Sequence, residues 1–182
     1  MSKLLILTWV SASGKTKAKE ELVERWWKSA INFTTRKPRS DKEKDDYVFV
    51  DRKTFFKKLA NGDFIEHTQF NWEEYAVSRC LPLGNVVTIL DPVGRNQIME
   101  KYTRAWIKVY TIYLNVNQEE QLRRLNDRNL SVTEIKERQL DYHWFDRTKF
   151  CLEIDNNWDE PIEEIVDYIE AYIFNWNNEC DF

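Results

Sequence analysis

Apolar residues occur along the chain in short continuous runs, and the longest runs precede stretches with helical spacing. Three such runs lie at positions 3–8, 86–91 and 109–116. Helical patterns follow them, beginning near Lys15, Gly94 and Gln118. Continuous apolar strands that alternate with helices are typical of a parallel sheet covered on both faces. The pattern therefore predicts an α/β core.

The segment between the first and second of these strand–helix pairs has a different pattern. Short alternating pieces at 47–50 and 64–70 flank an expected helix at 53–61, which ends at Gly62. Such pieces are typical of paired short strands, and we expect a small antiparallel insert here.

Two more helices are expected in the C-terminal part of the chain. Ser131 and Glu134 have the spacing of a capping box and begin one helix, which includes Trp144. A second helix begins near Pro161 and places apolar residues on one face. These apolar residues are Ile162, Ile165, Val166, Ile169 and Ile173.

Composition narrows the class of protein. The chain has 182 residues, of which 42% are hydrophobic, so one compact domain is expected. No stretch reaches the roughly 20 apolar residues of a membrane span, and we expect a cytoplasmic protein without a membrane partner. The three cysteines are far apart and lack metal-ligand spacing, which favours reduced thiols.

Charge is unevenly distributed along the chain. The formal net charge is −4, yet positions 31–58 hold nine Lys or Arg and five acidic residues. A local basic segment in an acidic protein favours a small anionic ligand over a nucleic acid, whose binding footprint usually makes the whole domain basic.

The segment that joins the first strand to the first helix has the pattern of a phosphate-binding loop. It matches Gly-x4-Gly-Lys-[Ser/Thr] except that Trp9 replaces the first glycine. Backbone N–H groups at the start of a helix bind anions, a lysine adds a cation, and a hydroxyl can bind magnesium. We expect the cradle to persist despite Trp9, because small residues and the lysine are retained. The residues expected to bind ATP are Ser11, Ala12, Ser13, Gly14, Lys15 and Thr16.

A second cluster suits another phosphate. Arg36 and Arg39 lie on an extended, proline-containing segment, and their forked donors can converge on one phosphate with the hydroxyl of Tyr47. The motifs Thr-Thr-Arg-x-Pro-Arg, Asp-Tyr-x-Phe-Val and Asn-Gly-Asp-Phe-Ile-Glu follow the phosphate loop in this order. In motif order and spacing, nearly the whole chain resembles the guanylate kinase family.

The resemblance implies a role for each matching residue. It implies that Lys15, Arg39, Arg128 and Arg138 serve the transferring phosphoryl group, and that Thr16 and Asp91 bind Mg2+ with ATP. It further implies that Glu66 faces the base of the acceptor nucleotide. The acceptor-binding positions are Asn32, Arg36, Arg39, Tyr47, Glu66, Tyr75, Val77 and Asp91.

The base pocket departs from the family pattern at three positions. The family usually has a serine in place of Asn32, a Ser or Thr in place of Val77, and an aspartate in place of Val93. A carboxylate such as Glu66 can accept N–H bonds from guanine, but it can equally accept one from the ring N–H of uracil or thymine or from the amino group of cytosine. The more apolar pocket leaves the preferred base open.

We therefore expect an α/β phosphate-loop kinase fold, with a parallel sheet flanked by helices, a small mixed acceptor-binding insert and a short lid. The expected divisions are a core at 1–30, 80–125 and 141–182, an insert at 31–79 and a lid at 126–140. The expected reaction transfers the ATP γ-phosphoryl group to (d)GMP or a related nucleoside monophosphate in a monomer or weak homodimer. The alternatives are a kinase for another deoxynucleotide, pyrimidine or modified, and a non-catalytic binding module for which Trp9 is the main support.

Overall fold

The elements of the fold follow the alternation of strands and helices. The computed structural model describes residues 2–8, 10–38, 46–70, 72–102, 107–128, 130–140, 150–157 and 161–175. The expectations for Trp9, Arg39 and Trp144 lie outside these described residues. The elements are β1 (Lys3–Thr8), α1 (Lys15–Arg25), β2 (Lys28–Ser29), β3 (Asn32–Thr34), β4 (Tyr47–Phe49), α2 (Arg52–Ala60), β5 (Phe64–Phe70), β6 (Glu73–Ser78), β7 (Val86–Leu90), α3 (Pro92–Tyr102), β8 (Lys108–Asn115), α4 (Gln118–Asn126), α5 (Val132–Leu140), β9 (Leu152–Asp155) and α6 (Ile162–Asn175).

The central sheet is parallel. Its strand order is β2-β7-β1-β8-β9, and every pairing between neighbours in that order runs parallel. Residues 4–8 of β1 are all buried, as expected for a strand with helices on both faces. The prediction of a parallel α/β core is confirmed.

Helices cover this sheet on two sides. On one side α1 and α6 pack together, and their apolar residues join β1 and β8 in the largest core cluster, with Trp27 buried among them. On the other side Ile98 of α3 packs in a second cluster that includes Ile65 and Val77. The second cluster joins the central sheet to the strands of the insert.

A second, mixed sheet is formed by the order β4-β3-β6-β5. The pairs β3–β6 and β5–β6 are antiparallel, whereas β3 and β4 are parallel. The four strands all fall between residues 32 and 78, and Phe55 of α2 is fully buried against this sheet. The expected mixed sheet is therefore present.

The starts of α2 and α5 are capped by side chains, and the cap of α5 is the one that the sequence predicts. Asp51 caps α2 by accepting a bond from the Thr54 N–H at 2.8 Å. At α5 the Ser131 N–H donates to the Glu134 carboxylate at 2.9 Å, and the Glu134 N–H donates to Ser131 Oγ at 3.3 Å. These reciprocal bonds are the expected capping box.

One expectation differs from the structure. Reduced thiols are expected for all three cysteines, but Cys151 is disulfide-bonded, whereas Cys80 is a free thiol. The separation of the cysteines along the sequence gave no sign of this bond. The Tyr172 hydroxyl on α6 also donates to the Cys151 carbonyl oxygen at 2.6 Å. Within the described ranges, no helix has the length and apolar character to cross a membrane.

Truncation of Ile169 should test the α6 contribution to the core. Ile169 is fully buried in the largest cluster, so Ile169→Ala should lower the free energy of unfolding by about 2–5 kcal/mol in urea titrations. Leu83→Ala is the control, because Leu83 is 86% exposed and should change stability by less than about 0.5 kcal/mol. Equal effects of the two substitutions would contradict this account of the core.

Candidate active site

One deep cleft separates the phosphate loop from the second sheet. Its volume is about 1180 Å3, and it lies at the carboxyl ends of β1 and β7. Every described residue that the sequence assigned to a site lines this cleft. These residues are Ser11, Ala12, Ser13, Gly14, Lys15, Thr16, Asn32, Arg36, Tyr47, Glu66, Tyr75, Val77, Asp91, Arg128 and Arg138.

The phosphate loop turns sharply from β1 into α1. Gly14 precedes the helix with φ of 99°, a conformation that favours glycine. The Lys15 ammonium folds back over the loop and donates to the Val10 carbonyl oxygen at 2.6 Å and to Ser13 Oγ at 3.3 Å. A cation and a helix N-terminus thus face the same part of the cleft, which is the arrangement that binds phosphate.

The loop is braced by residues that no sequence motif indicated. Asn156, just after β9, donates from Nδ2 to the Ser13 carbonyl oxygen at 2.8 Å. Arg124 of α4 donates to the carbonyl oxygens of Ala12 at 3.3 Å and Asn156 at 2.9 Å. The available signal was the adjacent pair Arg123 and Arg124 in α4, which lies four to five residues before Arg128.

Side chains of α5 and α4 also contact the phosphate loop at Ser11. Arg138 donates from Nη1 to Ser11 Oγ at 2.9 Å, and Gln121 of α4 donates to the Ser11 carbonyl oxygen at 3.2 Å. Arg128, two residues beyond α4, also lines the cleft. Arg124 and Arg138 therefore contact the phosphate loop directly, and Arg128 lines the same cleft.

The basic segment that follows β3 faces the cleft from the second sheet. The Arg36 guanidinium lies over the rings of Tyr47 and Phe49, with 5.6 and 5.7 Å to the ring centroids. Tyr47 and Tyr75 contact each other edge to face at 6.5 Å. Arg36 and two tyrosines thus form a second site suited to an anion, whereas Arg39 falls outside the described residues.

The inner end of the cleft contains a buried carboxyl group. Glu66 of β5 is 3% exposed, and among the described residues its Oε2 atom has no hydrogen-bond partner. Burial, together with the nearby charge of Asp91, raises the pKa of Glu66 from 4.5 to about 8, while the Val77 N–H and Lys101 oppose this increase. A buried polar atom that lacks a partner is suited to recognition of a ligand.

The neighbours of Glu66 are mostly satisfied or apolar. Asn32 is buried, and its Oδ1 accepts a bond from the Thr88 hydroxyl at 3.1 Å. Val77 is paired with both Asn32 and Glu66 and is 1% exposed, whereas Val93 is 60% exposed at the rim. Glu66 is therefore a carboxyl group with an unpaired oxygen, among the described residues, at this end of the cleft.

An ion pair that the sequence did not indicate connects the two sides of the cleft. Lys19 of α1 is almost completely buried, and its Nζ lies 2.6 Å from Asp46 Oδ1. Asp46 directly precedes β4, where Tyr47 lies. The pair links the helix of the phosphate loop to the second anion site.

The oxygen donors fit a magnesium ion held partly by phosphates. Thr16 and Asp91 line the same cleft and present a hydroxyl and a carboxylate. The described residues contain no cluster of three acidic, His or Cys side chains that would form a full metal cage. Mg2+ usually binds through one or two protein oxygens together with phosphates and water, so this donor set fits.

The fold and the cleft define the class as a phosphate-loop kinase. The structure of a guanylate kinase from Anaplasma phagocytophilum has a TM-score of 0.67 at 23% identity, covering 94% of this chain and 84% of that one. The APS kinase CysC from Mycobacterium tuberculosis, solved with AMPPNP and APS, has a TM-score of 0.54 at 15% identity, with coverage of 94% and 97%. At these identities the two structures support the fold alone.

Sequence comparison gives the family. The sequence model described as guanylate kinase matches residues 1–172. The guanylate kinase of Anaplasma phagocytophilum is 30% identical over 147 residues, 75% of this chain and 69% of that protein, and that of Koribacter versatilis is 34% identical over 149 residues, 75% and 63%. The chain belongs to the guanylate kinase family. It is an ATP-dependent nucleoside monophosphate kinase. Membership of this family favours the enzymatic interpretation over the non-catalytic binding module.

Stability should depend on pH through Glu66. The folded protein holds the Glu66 proton up to a pKa of about 8, whereas the unfolded chain loses it near 4.5, so stability should fall as the pH rises between these values. The slope is at most about 1.4 kcal/mol per pH unit for one proton. Glu66→Gln should flatten the decrease between pH 5.5 and 8.0, measured by urea unfolding. Glu20→Gln, exposed on α1, should retain it, and parallel curves for Glu66→Gln and the wild type would contradict the assignment.

Proposed function

We propose that the protein transfers the γ-phosphoryl group of ATP to GMP or dGMP, giving ADP and the nucleoside diphosphate. The single observation that carries the proposal is the shared cleft, in which the phosphate loop and the Arg36–Tyr47–Tyr75 site face the same space. Phosphoryl transfer requires two nucleotides in line and little covalent chemistry from the protein. The insert at 31–79 is proposed to bind the acceptor, and the segment at 126–140 is proposed to close as a lid.

The donor side neutralises the phosphates of ATP. Lys15 has a flexible cationic side chain that can leave the Val10 carbonyl oxygen for the outer phosphates. The loop N–H groups at the start of α1 bind the inner phosphates, and Asn156 and Arg124 hold the loop in shape. Thr16 and Asp91 would hold Mg2+, which when bound neutralises charge between the donor phosphates.

The acceptor side orients the attacking phosphate. Arg36 lies against Tyr47 with its guanidinium at the cleft, so its forked donors and the tyrosine hydroxyls can hold the monophosphate. Arg39 is proposed to add a second guanidinium. Arg128 and Arg138 stabilise the negative charge on the transferring group, and closure over the two nucleotides excludes water.

Guanine recognition is assigned to Glu66 and Asn32. As a carboxylate, Glu66 can accept from the N1–H and the amino group of guanine, while the Asn32 amide N–H can donate to a base oxygen. One observation favours the alternative acceptor. A carboxyl that keeps its proton at neutral pH offers one donor and one acceptor beside the apolar Val77, which also suits the N3–H and O4 edge of thymine or uracil.

Substitutions on the two sides of the cleft should have different kinetic effects. Lys15→Ala should lower kcat/KM by roughly 10²–10³-fold, since it removes a cation from the transition state. Arg36→Ala should raise KM for the monophosphate about tenfold or more and leave KM for ATP nearly unchanged. Initial rates of ADP formation give kcat and KM for both variants. The exposed controls Lys57→Ala and Arg79→Ala should behave like the wild type, and unchanged turnover in Lys15→Ala would exclude the donor assignment.

A panel of acceptors should identify the base. We expect the highest kcat/KM with dGMP or GMP when ADP formation is measured with ATP, Mg2+ and each of GMP, dGMP, dAMP, dCMP, dTMP and dUMP. Glu66→Gln should weaken guanine nucleotides by roughly tenfold or more, because the amide cannot accept two N–H bonds. A preference for dTMP or dUMP in the wild type would instead establish the alternative acceptor.

A further inference from the structure

Gly94 lies in the first turn of α3, directly against the carboxyl group of Glu66. We propose that Gly94 is a positioning residue for base recognition, because its missing side chain provides the space that the Glu66 carboxyl occupies. This inference rests on the proposed function, in which Glu66 faces the acceptor base. It adds a specificity determinant that lies on a different element from the base contact itself.

The geometry leaves no room for a side chain at position 94. A Cβ atom built there would lie 2.6 Å from Glu66 Oε2 and 3.3 Å from its Cδ. Both distances are shorter than ordinary van der Waals contact. The obstructing atoms are the end of a flexible side chain, so an alanine would displace the carboxyl group of Glu66 and leave the backbone in place.

Backbone conformation does not explain this glycine. Gly14, Gly62 and Gly84 all have positive φ, where glycine is favoured, but Gly94 does not. Gly94 is inside a helix, where alanine is the better helix former. Local conformational preference therefore favours alanine at this position, and the space required by Glu66 remains as the reason for glycine.

The same residue also fixes a second carboxyl group. The Gly94 N–H donates to Asp91 Oδ1 at 2.8 Å, and Oδ1 lies 3.5 Å from the position of a Cβ at Gly94. Gly94 thus holds Asp91 through its N–H and admits Glu66 through its missing side chain. An alanine keeps the N–H, so Gly94→Ala changes mainly the position of Glu66.

The test is a double-mutant cycle in acceptor kinetics. Gly94→Ala should raise KM for the best acceptor of the panel by roughly ten- to hundredfold, with kcat at saturation changed less than threefold. In the Glu66→Asp background the shorter side chain no longer reaches Cβ, so adding Gly94→Ala should change KM less than about twofold. Glu100→Ala, exposed on the same helix, is the control and should leave KM unchanged.

A second measurement does not depend on turnover. Displacing the Glu66 carboxyl into the cleft exposes it, so Gly94→Ala should flatten the loss of stability between pH 5.5 and 8.0. Asp91 and Lys101 are the charged groups that act on Glu66 there, and both remain in the variant. Unchanged pH dependence together with wild-type KM would overturn the proposal, as would an equal rise in KM in both backgrounds. Failure of the proposed function is distinct, because the wild type would then form no ADP with any acceptor.

Discussion

Parallel pairing of β1 with β7 is the constraint on which the site depends. The register places Thr8 beside Leu90, so the phosphate loop and Asp91 leave the sheet at the same edge. Both strands are buried. A slip in their register would move all of their hydrophobic side chains out of their packing positions. The packing of the core therefore fixes how far the phosphate loop lies from the first turn of α3.

Burial of the Glu66 carboxyl group at the inner end of the cleft costs folding free energy, but it places a polar group where a ligand can be recognised. A buried carboxyl group such as Glu66, whose Oε2 has no hydrogen-bond partner among the described residues, destabilises the fold, and burial contributes to its raised pKa. The surrounding elements tolerate it because the second core cluster, including Ile65, Val77 and Ile98, packs around this end of the cleft. A local loss of stability of this kind is common where a protein must recognise a ligand.

The sequence predicted the features that depend on local pattern. Three strands of the central sheet (β1, β7 and β8), the capping box at Ser131 and the Gly14-Lys15-Thr16 segment each follow from neighbouring residues, whereas β2 and β9 were not predicted. It did not predict the contact of Asn156 with the phosphate loop, which joins residues 143 positions apart. Nor did it indicate the role of Gly94, since a glycine in a helical pattern says nothing about which side chain occupies its empty space. The roles of the individual site residues remain predictions.

The buried pair of Lys19 and Asp46 has a consequence for how this protein can diverge. Lys19 lies on α1 beneath the phosphate loop, and Asp46 precedes the strand that holds Tyr47. Loss of either partner removes the counterion that the described structure shows for the other charge, and for the nearly inaccessible Lys19 this is strongly unfavourable. Lineages that descend from this chain can therefore replace the two residues only together or through a less stable intermediate. These two positions should covary among its descendants, although they belong to different elements of the fold.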